Sequence, residues 1–391
     1  MMRFLYITLA VLGICSCGTI ISPRGSGTRE KAEVIPSDAS IRGNIAYGMR
    51  SFFRIAMDEE TLLSMTVQGE RISLALEDEN GRTLKRIATM IPGQAEAVPN
   101  LYLSNGSYYL IVERAYGGST RETAYTAVLS RKRISVSSER EDNGDAGRAQ
   151  ELTLPAIVSG YYAPSMDVER AESKPAYTEE DWYSIDGKES DSAIDIELSP
   201  VPGVIGVLCI ADDNGTLFLA DGGESGEGKS ITGILLPAMM RRYIVIRTER
   251  QVSSKFPYQL RVSGKALSQG YAYEPNDSRA RAIALVEGML ISGRIDAPRD
   301  VEMFRIPRSP ADAGIRIRAP MDIAVTVVLF SEAHEATATL HTPANSADII
   351  VSAAALTNAR MISIRGTVRG SRDVRAWSRN PYEIIFSRAV E

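Results

Sequence analysis

Histidine is almost absent from this chain: of 391 residues, only His334 and His341 carry an imidazole. That scarcity removes the commonest general base and the commonest zinc ligand from most of the sequence. Cysteine is nearly as rare, with three residues, two of which (Cys15 and Cys17) lie close to the N-terminus. Cys209 stands alone in the apolar run Val207-Leu208-Cys209-Ile210. An internal disulfide framework is therefore excluded, and Cys209 reads as a small buried hydrophobe. No long basic run occurs, the net charge is -5 and the pI is near 5.5. Duplex binding leaves a clustered positive footprint, so nucleic acid is not expected as a partner. Stretches with a 3.6-residue apolar period are also nearly missing, which argues against helical domains. What remains is ordinary globular composition, 44% hydrophobic and 24% charged, enough to bury real cores in two or three domains.

The N-terminus carries the most specific signal. Arg3 gives a positive start, and Phe4 to Ile14 is an uncharged, largely apolar run. A run of that length is too short to cross ~30 Å of hydrocarbon as a helix, but it fits the apolar core of a secretory signal peptide. It ends in Ile14-Cys15-Ser16-Cys17, which resembles a bacterial lipobox, with Leu12-Gly13-Ile14-Cys15 as a competing frame. Ser16 is the smaller residue at the cleaved bond, so residues 1–16 are read as the signal peptide and Cys17 as the lipidation site. The resemblance implies acylation of Cys17, each buried methylene contributing ~0.8 kcal/mol to anchoring. Residues 17–31, rich in Ser, Gly, Pro and charge, are expected to form a flexible tether.

Beyond the tether, four landmarks recur three times in one order. A Gly step enters a strand at Gly43, Gly160 and Gly293. An aromatic strand start follows at Phe52-Phe53, Trp182-Tyr183 and Met303-Phe304. Next come apolar strands ending in Asn80-Gly81 and Asn214-Gly215, a strong hairpin signal because both residues tolerate positive φ; the third copy, Val327 to Glu332, lacks Asn-Gly. Each copy closes on a tyrosine-bearing strand, at Tyr125, Tyr258 and Tyr382. Short alternating strands with Gly and Asn turns predict an all-β chain of tandem β-sandwich domains, jelly-roll-like in layout. The expected boundaries are 32–132, 143–265 and 273–391. In the aromatic pairs, successive side chains face opposite sides of the strand, so one ring is expected in the core and the other partly exposed.

In the third copy, Tyr273-Glu274-Pro275-Asn276-Asp277-Ser278, Ala282 to Leu285, Ile291 to Ile295 and Asp300-Val301-Glu302-Met303-Phe304 resemble the bacterial pre-peptidase C-terminal domain family. The second copy resembles it more loosely, through Glu141-Asp142-Asn143-Gly144-Asp145, Val158-Ser159-Gly160 and Glu180 to Tyr183. The first keeps only the later landmarks. The resemblance implies non-catalytic β-sandwiches, some of which bind calcium and some protein or polysaccharide. It implies Glu274, Asn276, Asp277, Asp300 and Glu302 as a calcium set, with Glu302 standing where the family usually has aspartate. Calcium takes six to eight oxygen ligands in a flexible cage. The residues themselves allow another reading, in which Asn276-Asp277-Ser278 caps a helical turn from Arg279 to Leu285. A weaker set in the second copy is Asp142, Asn143, Asp145 and Asp181.

Gly223-Glu224-Ser225-Gly226-Glu227-Gly228-Lys229-Ser230 matches the phosphate-loop expression letter for letter. Gly233 and Pro237 interrupt the helix that motif needs, so a loop between strands is expected. Arg131-Lys132-Arg133 and Arg241-Arg242 are read as solvated strand ends, and Arg365 to Arg379 as an arginine-rich loop. No nucleophile stands beside a base at the reach a hydrolase needs. The expected function is thus a non-catalytic binding or scaffolding lipoprotein of the bacterial cell envelope, in the outer rather than the inner membrane. Its partners would be the membrane, through the lipid, and an envelope protein or glycan. No cofactor is required on this reading, with calcium the one candidate. A surface-exposed calcium-dependent adhesin and an unrecognised hydrolase are the alternatives.

Overall fold

The computed structural model describes residues 19–21, 27–89, 93, 95–114, 121–141, 143–162, 180–249, 256–308, 313–342, 348–368 and 376–388. Residues 1–16, Cys17, Asp142 and Arg369, Arg372 and Arg375 lie outside them. The described residues are almost entirely β; the one α-helix is the single turn Ala353–Leu356, where Ser352 Oγ accepts a hydrogen bond from Ala355 N. None is long and apolar enough to cross a membrane. The chain divides into two compact units, Met1–Ile134 and Ser135–Glu391.

One topology is written three times. The second copy runs through Gln150–Glu151, Ala156–Gly160, Asp181–Asp186, Ser192–Leu198, Gly206–Asp212, Gly215–Ala220, Lys229–Leu236, Arg241–Thr248 and Tyr258–Ala266. One sheet takes these strands in the order first, third, eighth, fifth, sixth, and the other in the order second, ninth, fourth, seventh. The copies from Glu33 to Lys132 and from Ile283 to Ser387 repeat both orders. In each, the two-residue first strand runs parallel to its neighbour. Within the expected tether, Thr19–Ile21 adds a further parallel strand against Ala39–Ile41.

Alternation explains the layers. Ser192–Leu198 points Ile194, Ile196 and Leu198 inward and Glu197 outward, and each fully buried aliphatic contributes ~1.5–3 kcal/mol. Three separate cores result, centred on Phe53 and Leu110, on Tyr183 and Leu260, and on Phe304 and Ile384. Tyr183 is fully buried while its neighbour Trp182 is half-buried on the outer face, edge-on to Tyr243.

The hairpin turns form where Asn-Gly predicted them. Asp78 Oδ1 accepts from Asn80 N at 2.9 Å, and Asp212 Oδ1 from Asn214 N at 2.8 Å. In the third copy His334 adopts φ 69°, taking the left-handed place that Gly81 fills at φ 88° in the first. His341 bonds Thr326 Oγ1 across the hairpin, so both imidazoles sit on the same hairpin. The phosphate-loop look-alike is a connection between strands: Lys229 is buried with Nζ donating to Gly222 O, and Ser230 already belongs to strand Lys229–Leu236. Arg242 departs from the expected solvated strand end. It is 6% exposed and faces Asp212 at 3.7 Å.

Residues 266–272, the linker between the expected domains, lead into a junction that stitches the two sandwiches of the second unit. Glu274 N donates to Gly233 O at 2.9 Å and Leu235 N to Glu274 O at 2.7 Å. Asp296 Oδ2 accepts from Thr232 N and Thr232 Oγ1 at 2.7 and 2.8 Å. Gly233, at φ 71°, leaves the space that the Tyr271 ring fills.

Candidate metal centre

Two sequence landmarks that lie about a hundred residues apart meet in register. Tyr125 pairs with Gly43, Tyr258 with Gly160 and Tyr382 with Gly293. The missing Cβ at each glycine lets the tyrosine ring lie flat across its neighbour: a Cβ built on Gly160 or Gly293 would collide with the phenol. Each ring thus carries its hydroxyl to the start of the aromatic strand. There, two residues before Phe53, Tyr183 and Phe304, stand Ser51, Asp181 and Glu302.

In the third copy this geometry builds a buried acidic centre. Tyr382 OH donates to Glu302 Oε2 at 2.6 Å. Asn276 Nδ2 donates to Glu302 Oε2 at 2.8 Å and to Glu274 Oε1 at 2.9 Å, and Asn276 N donates to Glu274 Oε2 at 2.8 Å. Asp300 Oδ2 accepts from Asp296 N at 2.6 Å, and Asp277 Oδ1 from Val301 N at 2.8 Å. Carboxylate oxygens of Glu274, Asp300 and Glu302 all lie within 4.8 Å of one another. Their exposures are 3%, 3% and 0%. The structure therefore gathers all five residues read from the sequence, with Glu274, Asp300 and Glu302 at the centre and half-buried Asp277 at the margin. The helix-cap alternative does not form: residues 279–282 make a turn that leads into strand Ile283–Ala284.

The second copy builds a related centre from partly different residues. Glu139, Glu141 and Asp181 offer oxygens within 4.8 Å of one another, and all three are buried. Tyr258 OH donates to Glu139 Oε1 at 2.6 Å, and Tyr183 OH reaches the same oxygen at 3.1 Å. Tyr258 OH also lies 2.8 Å from Asp181 Oδ2. Asn143, 1% exposed, makes no side-chain hydrogen bond among the described residues. Asp145, expected in this set, turns outward and pairs with Arg148 at 2.5 Å. Glu139 and Glu141 replace it. Their signal was the spacing Glu139-x-Glu141-x-Asn143, whose last two members match Glu274-x-Asn276. The first copy has no such centre among its described residues; Ser51 hydrogen-bonds Tyr125 where the others place a carboxylate.

The electrostatics follow from burial without countercharge. Among the described residues no lysine or arginine forms an ion pair with Glu274, Asp300, Glu302 or Glu139. Desolvation, then mutual repulsion, holds the Glu274, Asp300 and Glu302 carboxyls well above their ordinary range. Desolvation and the neighbouring Glu141 push Glu139 up to about 7. Asp300 Oδ1 and Glu302 Oε1 are buried and accept no hydrogen bond. Such a centre needs protons or a cation, and an all-oxygen donor set suits a hard divalent ion. Without a cation, the raised folded values mean that the folded state holds protons the unfolded chain has released. Stability is then greatest below the unfolded carboxyl value near ~4.3 and falls as pH rises toward 7. The melting temperature of chelator-treated protein is accordingly expected to drop steadily between about pH 5 and pH 7.5. A flat profile would mean the carboxyls are not desolvated.

No family model matches the chain, and no curated protein matches it. Solved structures do. The pre-peptidase C-terminal domain of a collagenase from Bacillus anthracis matches at 17% identity and TM-score 0.22, covering 27% of this chain and all of that one. A protein from Eubacterium rectale described as secreted matches at 9% identity and TM-score 0.21, covering 62% of this chain and 82% of that one. A tandem CBM22 domain from Paenibacillus barcinonensis matches at 13% identity and TM-score 0.19, covering 57% and 85%.

Proposed function

We propose that this chain is an exported lipoprotein of the bacterial cell envelope, anchored through Cys17 to the outer rather than the inner membrane. It acts without catalysis, binding envelope protein or glycan through its tandem sandwiches. Calcium braces the second and third of them. Glu274, Asp300 and Glu302, with Asn276 and Asp277 alongside, would hold the ion in the third. Tyr382 fixes the orientation of Glu302, and the sandwich excludes water. When bound, the ion supplies the countercharge that these carboxylates lack.

The observation that carries this reading is the burial of the acidic centres. A catalytic carboxylate must touch its substrate, whereas Glu302 and Asn276 are fully enclosed and Glu274 is 3% exposed. Carboxylates so placed fit a structural ion better than a reaction. The anchor is tested by detergent phase partitioning of the full chain produced in a bacterial host. Cys17→Ser is expected to move the protein from the detergent to the aqueous phase, and Cys15→Ser to leave it in place. The reverse pattern would shift the anchor to Cys15, and no effect of either substitution would remove it. For the binding role, enrichment of one envelope protein or glycan by the solubilised lipoprotein is expected. A strictly monomeric protein that enriches nothing would count against it.

A further inference from the structure

The second sandwich has a feature that neither the anchor nor the acidic centre uses, at its opposite pole. Strand Asp181–Asp186 begins at the acidic centre and ends, about 17 Å away, at a surface cleft. The cleft has a volume of about 460 Å³ and is lined by Asp186, Asp213, Asn214, Met239, Met240 and Arg241 among others. Three loops meet there, at one end of the sandwich, where β-sandwich binding loops commonly cluster.

The walls are held rigidly. Gly187 N donates to Met240 O at 2.7 Å, Met239 N to Lys188 O at 2.9 Å, and Ala238 N to Asp191 Oδ1 at 2.7 Å. Gly187 lies so close to Pro237 O that a Cβ would collide with it. Met239 is fixed at φ 57°, a conformation that favours glycine, and the residue is 79% exposed beside Met240 at 47%. Two neighbouring methionines held in water on an ordered loop present a soft, adaptable apolar surface. The corresponding connection in the first sandwich is Ser104-Asn105, which closes polar, with Asn105 Nδ2 on Asp58 O at 3.3 Å.

Charge decides the kind of occupant. Asp186 and Arg241 neutralise each other through a double hydrogen bond at 2.6 and 2.9 Å, and Asp212 faces Arg242. Asp213 accepts from Tyr243 OH at 3.2 Å but pairs with no arginine or lysine among the described residues. Glu189 and Asp191 lie exposed on the adjoining loop beside Lys188. The cleft therefore sets an uncompensated acid, Asp213, beside two exposed methionines.

We infer that this cleft is a docking site for a protein segment that sets a lysine or arginine beside an apolar side chain. The cation meets Asp213, and the apolar group lies on Met239 and Met240. This deepens the binding role proposed above and is independent of the calcium reading, since the two sites lie at opposite poles.

The test uses the full soluble chain with methionine methyls labelled for NMR, the two signals being assigned from Met239→Leu and Met240→Leu. The probes are a short peptide alternating lysine with leucine and its counterpart alternating glutamate with leucine. The lysine peptide is expected to move the Met239 and Met240 signals saturably and leave the other methionine signals in place. Asp213→Asn, an exposed substitution that preserves the fold, is expected to weaken that binding about threefold. Equal response to both peptides, no response, or an unchanged affinity in Asp213→Asn would overturn the proposal. So would a response of these two methyls to anionic lipid vesicles and not to the peptide. Calcium-induced stabilisation, measured on the same sample, reports on the acidic centres separately.

Discussion

Millimolar calcium is expected to raise the melting temperature of the second and third sandwiches by roughly 5–10 °C and to leave the first unchanged. A ligand at a hundred times its dissociation constant stabilises by about 2.7 kcal/mol. For a unit the size of the one holding these two sandwiches each kcal/mol moves the midpoint by about 2–4 °C. The first sandwich is an internal control because Ser51 replaces the carboxylate that the others place beside the closing tyrosine. Asp300→Asn should abolish the shift in the third sandwich. The same variant should be more stable than the parent in chelator, because it removes a carboxyl that burial and Glu274 force to take up a proton on folding. Opposite signs with and without the ion separate a metal ligand from a merely structural aspartate, whose loss destabilises in both. Asp277→Ala should act more weakly, since Asp277 is half-buried and spends one oxygen on Val301 N. Differential scanning calorimetry in calcium and in chelator reads all of this. A calcium shift confined to the first sandwich, or none at all, would end the calcium reading.

Gly293→Ala and Gly160→Ala are expected to cost about 3 kcal/mol each, among the largest effects of any single methyl added to this chain. Both added groups would run into a tyrosine that cannot retreat. Tyr382 and Tyr258 are fully buried, and their hydroxyls are tied to Glu302 and to Glu139 and Asp181. At Gly160 the carboxylate of Glu139 stands only 2.7 Å from the added carbon as well. Gly43→Ala should cost less, about 1 kcal/mol, because its nearest contact with Tyr125 is 2.9 Å and that ring is bound to a serine rather than to a buried acid. Urea unfolding of the three variants gives the ranking directly. Equal costs at all three positions would show that the tyrosine, and not the acid it holds, sets the constraint.

These two expectations mark how far the residues alone could be read. Gly160 and Tyr258, and Gly293 and Tyr382, were visible as separate recurring landmarks. That each pair shares one register position follows from the antiparallel pairing of the second and ninth strands, which no local pattern reveals. Asp145 illustrates the converse. Its place in an acidic cluster of sequence suggested a ligand, but the turn at that point sends it outward to Arg148. Glu139 was passed over because it precedes the motif, although a parallel bridge between Ser138 and Ser159 carries it to the core. The expected linker 266–272 likewise leads into a stitched junction, since Glu274 spends its backbone on Gly233 and Leu235 while its carboxylate enters the acidic centre.

The sequence by itself determined the all-β class and the threefold recurrence of one strand pattern, while the five residues gathered at the acidic centre of the third sandwich were reached only through a family resemblance. Those features depend on alternation, turn chemistry and short motifs, which act within a few residues. Tertiary structure alone decided which carboxylates lose their water, which tyrosine holds each of them, and how the second sandwich grips the third. Burial and register are properties of strands distant in sequence, and desolvation takes effect only once the two sheets have closed over the acids.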